Sequence, residues 1–160
     1  MTEGRSTRVR GFTLPELVAV LLIVGILAVL ALPRFVDRNV FDERGFFDES
    51  LAAVRYAHKL ALAGGCDVGV SFTAAGYSLV RRDGGCTAGA FTVPITHPTA
   101  GGNFSGSAPA GIAVTGATFY YDMAGRPRDM SDALLTASTD IGIGGFTLRV
   151  EPQTGFAHEP

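Results

Sequence analysis

Gly11-Phe12-Thr13-Leu14-Pro15-Glu16-Leu17 opens the longest apolar stretch of the chain, which runs on through Gly25 to Leu32 and is closed by Pro33. One acid, Glu16, stands at its head, and from Leu17 to Leu32 sixteen consecutive residues carry no polar side chain. As a helix the 21 residues Phe12 to Leu32 rise about 31 Å at 1.5 Å each, which matches a hydrocarbon core of roughly 30 Å. The spacing therefore predicts one membrane-spanning helix over 12–32. Pro33 ends it, because a proline removes a helix hydrogen bond and kinks or breaks the rod.

Upstream, residues 1–11 hold Arg5, Arg8 and Arg10 against Glu3, so this polar leader is net +2 and the remaining 10 basic and 14 acidic side chains give net −4. Positive charge ahead of an apolar run keeps that end in the cytoplasm. A secretory signal peptide cut after Ala31 is the plain alternative, with Val29 and Ala31 as the small pair. Two features oppose it. The apolar stretch reaches the upper limit of about 15 residues for such a signal, and Glu16 costs roughly 2.5 to 3.5 kcal/mol if it sits at mid-bilayer, less near the interface.

Those residues resemble the class III signal of type IV pilins and type II secretion pseudopilins. The resemblance implies that a prepilin peptidase cuts the Gly11–Phe12 bond and methylates the new amino group of Phe12. It implies that Glu16, then the fifth mature residue, pairs with the amine of a neighbouring subunit and sets axial register. Pro33 falls where the family places a proline, whereas Pro15 stands where an aliphatic residue is commoner. Chemistry gives Glu16 a reason to pair, since a buried carboxylate in apolar surroundings is tolerable only with a partner. Capping of its own helix N-terminus, favoured by the helix dipole, is the other reading of Glu16.

The whole chain has 160 residues, enough for one ordinary domain and too few for a two-domain enzyme. It is 47% apolar and 18% charged, with a mean hydropathy of +0.28, where about 25% charged is usual. A formal charge of −2 and a pI near 5.9 argue against a general nucleic-acid binder.

Downstream of Pro33, Val36, Val40, Phe47, Leu51, Val54 and Ala61 recur on one helical face, and acids and bases fill the others. An amphipathic stem over 33–64 is expected, laid on a sheet, with a break near Arg44 to Phe46 at Gly45 and a stop at Gly64-Gly65. From 65 to 160 the pattern shifts toward period two. Asp67–Phe72 and Tyr77–Arg82 flank Thr73-Ala74-Ala75-Gly76 as a hairpin. Further strands are expected at 90–95, 112–115, 117–121, 146–150 and 155–158, a long loop at 99–111, and a short helix at 131–137. The fold class is α+β, a long N-terminal helix packed on an antiparallel β head.

Cys66 and Cys86 sit just outside the two ends of the hairpin, where a disulfide would close a loop of about 20 residues, worth roughly 3 kcal/mol by chain entropy. Two buried free thiols are the alternative. No CxxC or neighbouring His supports a metal pair, and no cofactor is implied. His58, His97 and His158 are scattered, Asp42/Glu43 and Asp48/Glu49 read as a solvated helix face, and Ile141 to Phe146 only superficially looks like a phosphate loop. No enzymatic activity is assigned.

In the head, Phe119-Tyr120-Tyr121-Asp122-Met123-Ala124-Gly125-Arg126-Pro127 and Val150-Glu151-Pro152-Gln153-Thr154-Gly155 resemble the minor pilin group of the H pseudopilin and FimT/FimU-type pilins. Phe41 to Phe46, Ala53 to Ala57, Gly65-Cys66 and Gly76 to Leu79 look more like the minor C component of mannose-sensitive haemagglutinin pili. Asp122 and Gly125 also suit a plain turn, the Gly at positive φ and the Asp satisfying backbone donors. The resemblance implies a minor subunit that primes, caps or joins a pilus or pseudopilus. Its partners would be other pilin subunits, the prepilin peptidase, an inner-membrane assembly platform and, before assembly, membrane lipid, with the head periplasmic. The competing roles are a major pilin, a tip adhesin, and a DNA-binding subunit relying on Arg81-Arg82 and Arg126/Arg128.

Overall fold

The computed structural model describes residues 12–31 and 38–160. Two units emerge, one ending at Arg38 and one spanning Asn39–Pro160. Gly11, Pro33 and Val36 lie outside the described residues, so the cleavage site, the helix break and the first stripe position are not placed. The described part of the first unit is essentially α1, Leu14–Ala31.

The second unit is built on α2, Arg38–Gly64, a single helix of 27 residues. It runs uninterrupted through Gly45, contrary to the expected break. Phe46 and Phe47 beside it are buried at 3% and 0% exposure. Burying two such rings is worth roughly 1.5 to 3 kcal/mol each, which exceeds the penalty of about 1 kcal/mol for a helical glycine. The buried face is Phe46, Phe47, Ser50, Ala53, Val54, Ala57 and Ala61. Three alanines four apart let the helix approach the sheet closely. Of the expected stripe, Phe47, Val54 and Ala61 are buried and Leu51 is half-buried, while Val40 is exposed. The helix stops where Gly65 takes φ +60 and its N–H still reaches the Ala61 carbonyl.

The first sheet contains β1 (Val68–Thr73), β2 (Gly76–Arg82), β3 (Phe91–Pro94), β4 (Ser105–Ser107), β5 (Ala117–Tyr121) and β6 (Pro127–Arg128), in the order β3-β2-β1-β5-β6 with β4 also on β2. Val68, Val70 and Phe72 on β1, Tyr77 and Leu79 on β2, and Phe119 and Tyr121 on β5 all bury at period two. The β1–β2 hairpin forms where expected, but its strands extend to a Thr73–Gly76 pair, so the turn is the two residues Ala74-Ala75 rather than four. Gly76 is needed there, since at φ +137 a Cβ would stand on the Gly106 carbonyl of β4. The second sheet is β7 (Thr139–Ile143), β8 (Phe146–Val150) and β9 (Ala157–His158), all antiparallel. The rings of Phe46 and Tyr77 lie 6.0 Å apart and those of Phe47 and Phe146 5.3 Å apart, so α2 bridges both sheets.

Three further expectations fail. Residues 112–115 form no strand beyond a bridge from Val114 to Ile143. Residues 131–137 are not helical: Asp129 accepts from the N–H groups of Ser131 and Ala133, and Asp132 sits at φ +68. The loop 99–111 contains β4, and 139–143 is a strand that was not foreseen. The strand expected at 155–158 shortens to Ala157–His158.

Candidate assembly site

Thr13 begins the site by capping α1. Its carbonyl accepts from the N–H groups of Glu16 and Leu17 at 3.1 Å, and its own N–H points back to Glu16 Oε2 at 3.5 Å. That is half of a capping box, Thr-x-x-Glu, in which the acid three residues on satisfies an otherwise orphaned donor. Pro15 fits the first turn, where its missing N–H costs nothing. Glu16 makes no ion pair among the described residues. The capping reading of Glu16 is thus realised in the single chain, and the Thr-x-x-Glu pattern was the signal for it.

Every side chain from Phe12 to Ala28 is exposed. Leu14 is 79% exposed, and Leu21 and Leu22 are above 60%. A helix that is apolar all round belongs in a core or a membrane, and none of its described side chains is buried. Its 18 residues rise about 27 Å. Among the described residues no helix is long and apolar enough to cross a membrane.

The head carries a second constellation around Asp122, which is 6% exposed. Its Oδ1 accepts from the N–H groups of Ala124 and Arg126, and its Oδ2 from Arg126 Nε at 3.0 Å and Arg128 Nε at 2.9 Å. Burial works against its charge, but the bonds from Arg128 and Arg126 outweigh it and hold the carboxyl below its ordinary range. Gly125 completes the turn at φ +75, as the sequence indicated. Nearby, Arg82 pairs with Asp67 at 2.8 Å and Asp132 at 2.9 Å and lies 4.3 Å from the Phe91 ring centroid. Tyr120 donates to Asp132 at 2.6 Å, and its hydroxyl is pushed up to about 12 by burial and that carboxylate.

Cys66 and Cys86 are joined in a disulfide with Cα atoms 4.2 Å apart, which ties the end of α2 to the loop after β2. The helix acids are not a uniformly solvated face. Glu43 accepts from Gly145 N–H in the β7–β8 turn, Glu49 from the Tyr77 hydroxyl at 2.7 Å, and Arg44 reaches Glu159 at 2.9 Å. Those staples were hidden in the sequence because their partners lie about 30 to 115 residues away. The glycine-rich stretch 141–146 is the β7–β8 hairpin with Glu43 at its tip, where an anion site would need the opposite charge.

The histidines stay apart. His58 packs 4.9 Å from Tyr121, His97 4.6 Å from Phe104, and His158 stacks on Phe156. Burial lowers the pKa of His58. Among the described residues no three His, Cys, Asp or Glu side chains group to hold a metal.

Comparison with known proteins agrees with the amino-terminal geometry. Residues 6–32 match the family profile described as the prokaryotic N-terminal methylation motif. Over 54 residues, 34% of this chain, the sequence is 46% identical to the type IV narrow pilus major component PilA5 of Thermus thermophilus. The chain spans about half the length of that curated relative, 47% of it. No solved structure matches the chain. What it shares with these proteins is the N-terminal methylation motif of prokaryotic type IV pilins and a partial likeness to a type IV pilin.

Proposed function

We propose that the chain is a non-enzymatic structural subunit of a type IV pilus or a type II secretion pseudopilus. Cleavage at Gly11–Phe12 and methylation of Phe12 prepare it, lipid holds residues 12–32 before assembly, and other subunits hold them afterwards. The observation that carries this reading is α1: apolar on every face, exposed on every face, and headed by an acid that makes no ion pair among the described residues. Lipid and then neighbouring subunits would supply the burial that its described side chains lack. Glu16 then exchanges its weak bond to the Thr13 N–H for the charged amine of a neighbour's Phe12, a stronger charge-assisted contact.

Resemblance in the head supports a minor role, joining or capping the filament. A major role is the second reading, favoured by the relative named as a major pilus component. A DNA-binding role is weakened because Arg82, Arg126 and Arg128 are each committed to a carboxylate, which leaves Arg81 alone of those two clusters without an ion pair among the described residues, whereas phosphate neutralisation needs several uncommitted cations.

The test is Glu16→Val in the full chain, scored in sheared filaments with the mature amino terminus identified by mass spectrometry. The expected result is normal cleavage with incorporation reduced by an order of magnitude or more. Normal incorporation of the variant would remove the register role. Wild-type chain absent from filaments and uncleaved would remove the whole reading, and counting subunits per filament separates minor from major.

A further inference from the structure

We infer that the free edge of β4 takes up an extended segment of a partner protein as an added strand, with a lysine or arginine at the centre of that segment. This goes beyond the filament reading and does not depend on it. β4 is Ser105-Gly106-Ser107, exposed at both serines and half-buried at the glycine. Its register on β2 pairs Ser105 with Ser78, Gly106 with Tyr77 and Ser107 with Gly76. The ladder continues past both ends, where the Leu79 N–H bonds the Phe104 carbonyl and the Ala108 N–H the Ala75 carbonyl. Successive residues of an antiparallel strand turn their backbone groups to one neighbour and then to the other. Residues 104, 106 and 108 therefore face β2, and the N–H and C=O groups of Ser105 and Ser107 point outward. Among the described residues no backbone group bonds to these four.

The other sheet edges each carry a cover. On β3, Pro94 has no N–H and the Thr92 N–H bonds the Ala90 carbonyl. β6 is flanked by Leu135, whose N–H bonds the Pro127 carbonyl, and by the Arg128–Leu134 bridge. Along β7 the Thr115 N–H bonds the Gly142 carbonyl, and the Gly144 N–H that follows the strand bonds the Ala113 carbonyl. On β9 the Arg55 Nε donates to the Ala157 carbonyl. β4 has no proline, charge or bulge of the kind that blunts an edge, so a strand can add there through main-chain bonds. Its inner face selects the strand. A Cβ on Gly106 would meet the Tyr77 ring and stand 2.6 Å from Glu49 Oε1. The Glu49 carboxylate thus lies over Gly106, accepts from the Tyr77 hydroxyl at 2.7 Å, and has no ion pair among the described residues. An added strand runs about 4.7 to 4.9 Å further out. The long side chain of a lysine or arginine opposite Gly106 reaches that carboxylate, and opposite charges side by side stabilise the pairing. A second copy of the chain fits poorly, because β4 paired with β4 would set one Glu49 against the other.

The experiment uses the full chain in detergent micelles, with a synthetic peptide of alternating threonine and valine carrying one central lysine as the probe. Bound peptide is expected to slow hydrogen exchange at the Ser105 and Ser107 amides by about five-fold or more and to leave the Thr92 amide unchanged. The same peptide N-methylated along its pairing side is expected to bind about ten-fold more weakly, since the ladder needs its N–H groups. Glutamate in place of the central lysine is expected to weaken binding several-fold, and Glu49→Gln to remove that difference. Failure of the lysine peptide to bind, or binding with unchanged exchange at Ser105 and Ser107, overturns strand addition. Equal binding of the lysine and glutamate peptides to the wild-type chain overturns the cationic partner. Both of those results are read on the wild-type protein, so they hold even where Glu49→Gln disturbs the fold through the lost Tyr77 bond.

Discussion

α1 and α2 are both helices, yet they solve burial in opposite ways. α2 is amphipathic, and Phe46, Phe47, Val54 and three alanines vanish into the two sheets. α1 is apolar throughout beyond Glu16 and buries none of its described side chains. The hydrophobic effect acts on both in proportion to apolar area. For α2 the chain supplies the partner, so that area becomes stability of the fold. For α1 none of the described side chains is buried, so the same area is left to drive insertion or association.

The sharpest way to break this contrast is a pair of truncations in the full chain in detergent. Phe47→Ala is expected to cost about 3 to 5 kcal/mol of head stability, read as a lower urea midpoint. Leu22→Ala removes a side chain that is 62% exposed and is expected to change the same midpoint by less than about 0.5 kcal/mol. A comparable loss from both would mean that α1 contributes to the head's core.

Next in size is the disulfide. Replacing Cys66 and Cys86 together by Ser frees a loop of 20 residues, and the expected loss is about 3 kcal/mol. It should appear in thermal unfolding of the head and leave α1 helicity in detergent unchanged. A helix that loosened at both ends of the chain would contradict the division into separately stabilised parts.

Asp122→Asn follows, at about 2 kcal/mol, because two guanidiniums and two backbone N–H groups lose a charged acceptor. The sign with pH is fixed by the depressed carboxyl. Its contribution is complete above the ordinary carboxylate range near pH 4 and disappears as pH falls through the lower folded value. Wild type and variant should therefore differ in urea midpoint at pH 7 and converge toward pH 2. A gap that persisted in acid would mean the loss is one of shape rather than charge.

What could be read in advance divides along the same physical line. The β1–β2 hairpin, β5 and β8 were legible because alternating Val, Phe, Tyr and Leu write a period of two into the sequence. β7 was not, since Gly142 interrupts Ile141 and Ile143, and β4 is Ser-Gly-Ser, with no apolar period at all. β4 is held by the Leu79 N–H reaching the Phe104 carbonyl beside it and by the space at Gly76. The stretch 131–137 holds Ala133 and two leucines, residues of good helix propensity, yet forms no helix. The Asp129 side chain overrode that propensity by offering the backbone another set of bonds. At the amino terminus the motif was plain in seven residues, and the Thr-x-x-Glu spacing within it already offered the bond from the Thr13 N–H to Glu16.

The smallest effect is the most discriminating. Gly45 lies on the exposed side of α2, and a Cβ there would meet no atom within 4 Å. Gly45→Ala is therefore expected to stabilise the head by about 0.5 to 1 kcal/mol, since alanine loses less backbone entropy in a helix. A rise in melting temperature of the single chain checks this. Incorporation into filaments, measured on the same variant, stays at the wild-type level where Gly45 serves only its own helix and falls where a neighbouring subunit packs against it. Opposite signs in the two measurements separate what α2 does for its own fold from what it does for its neighbour.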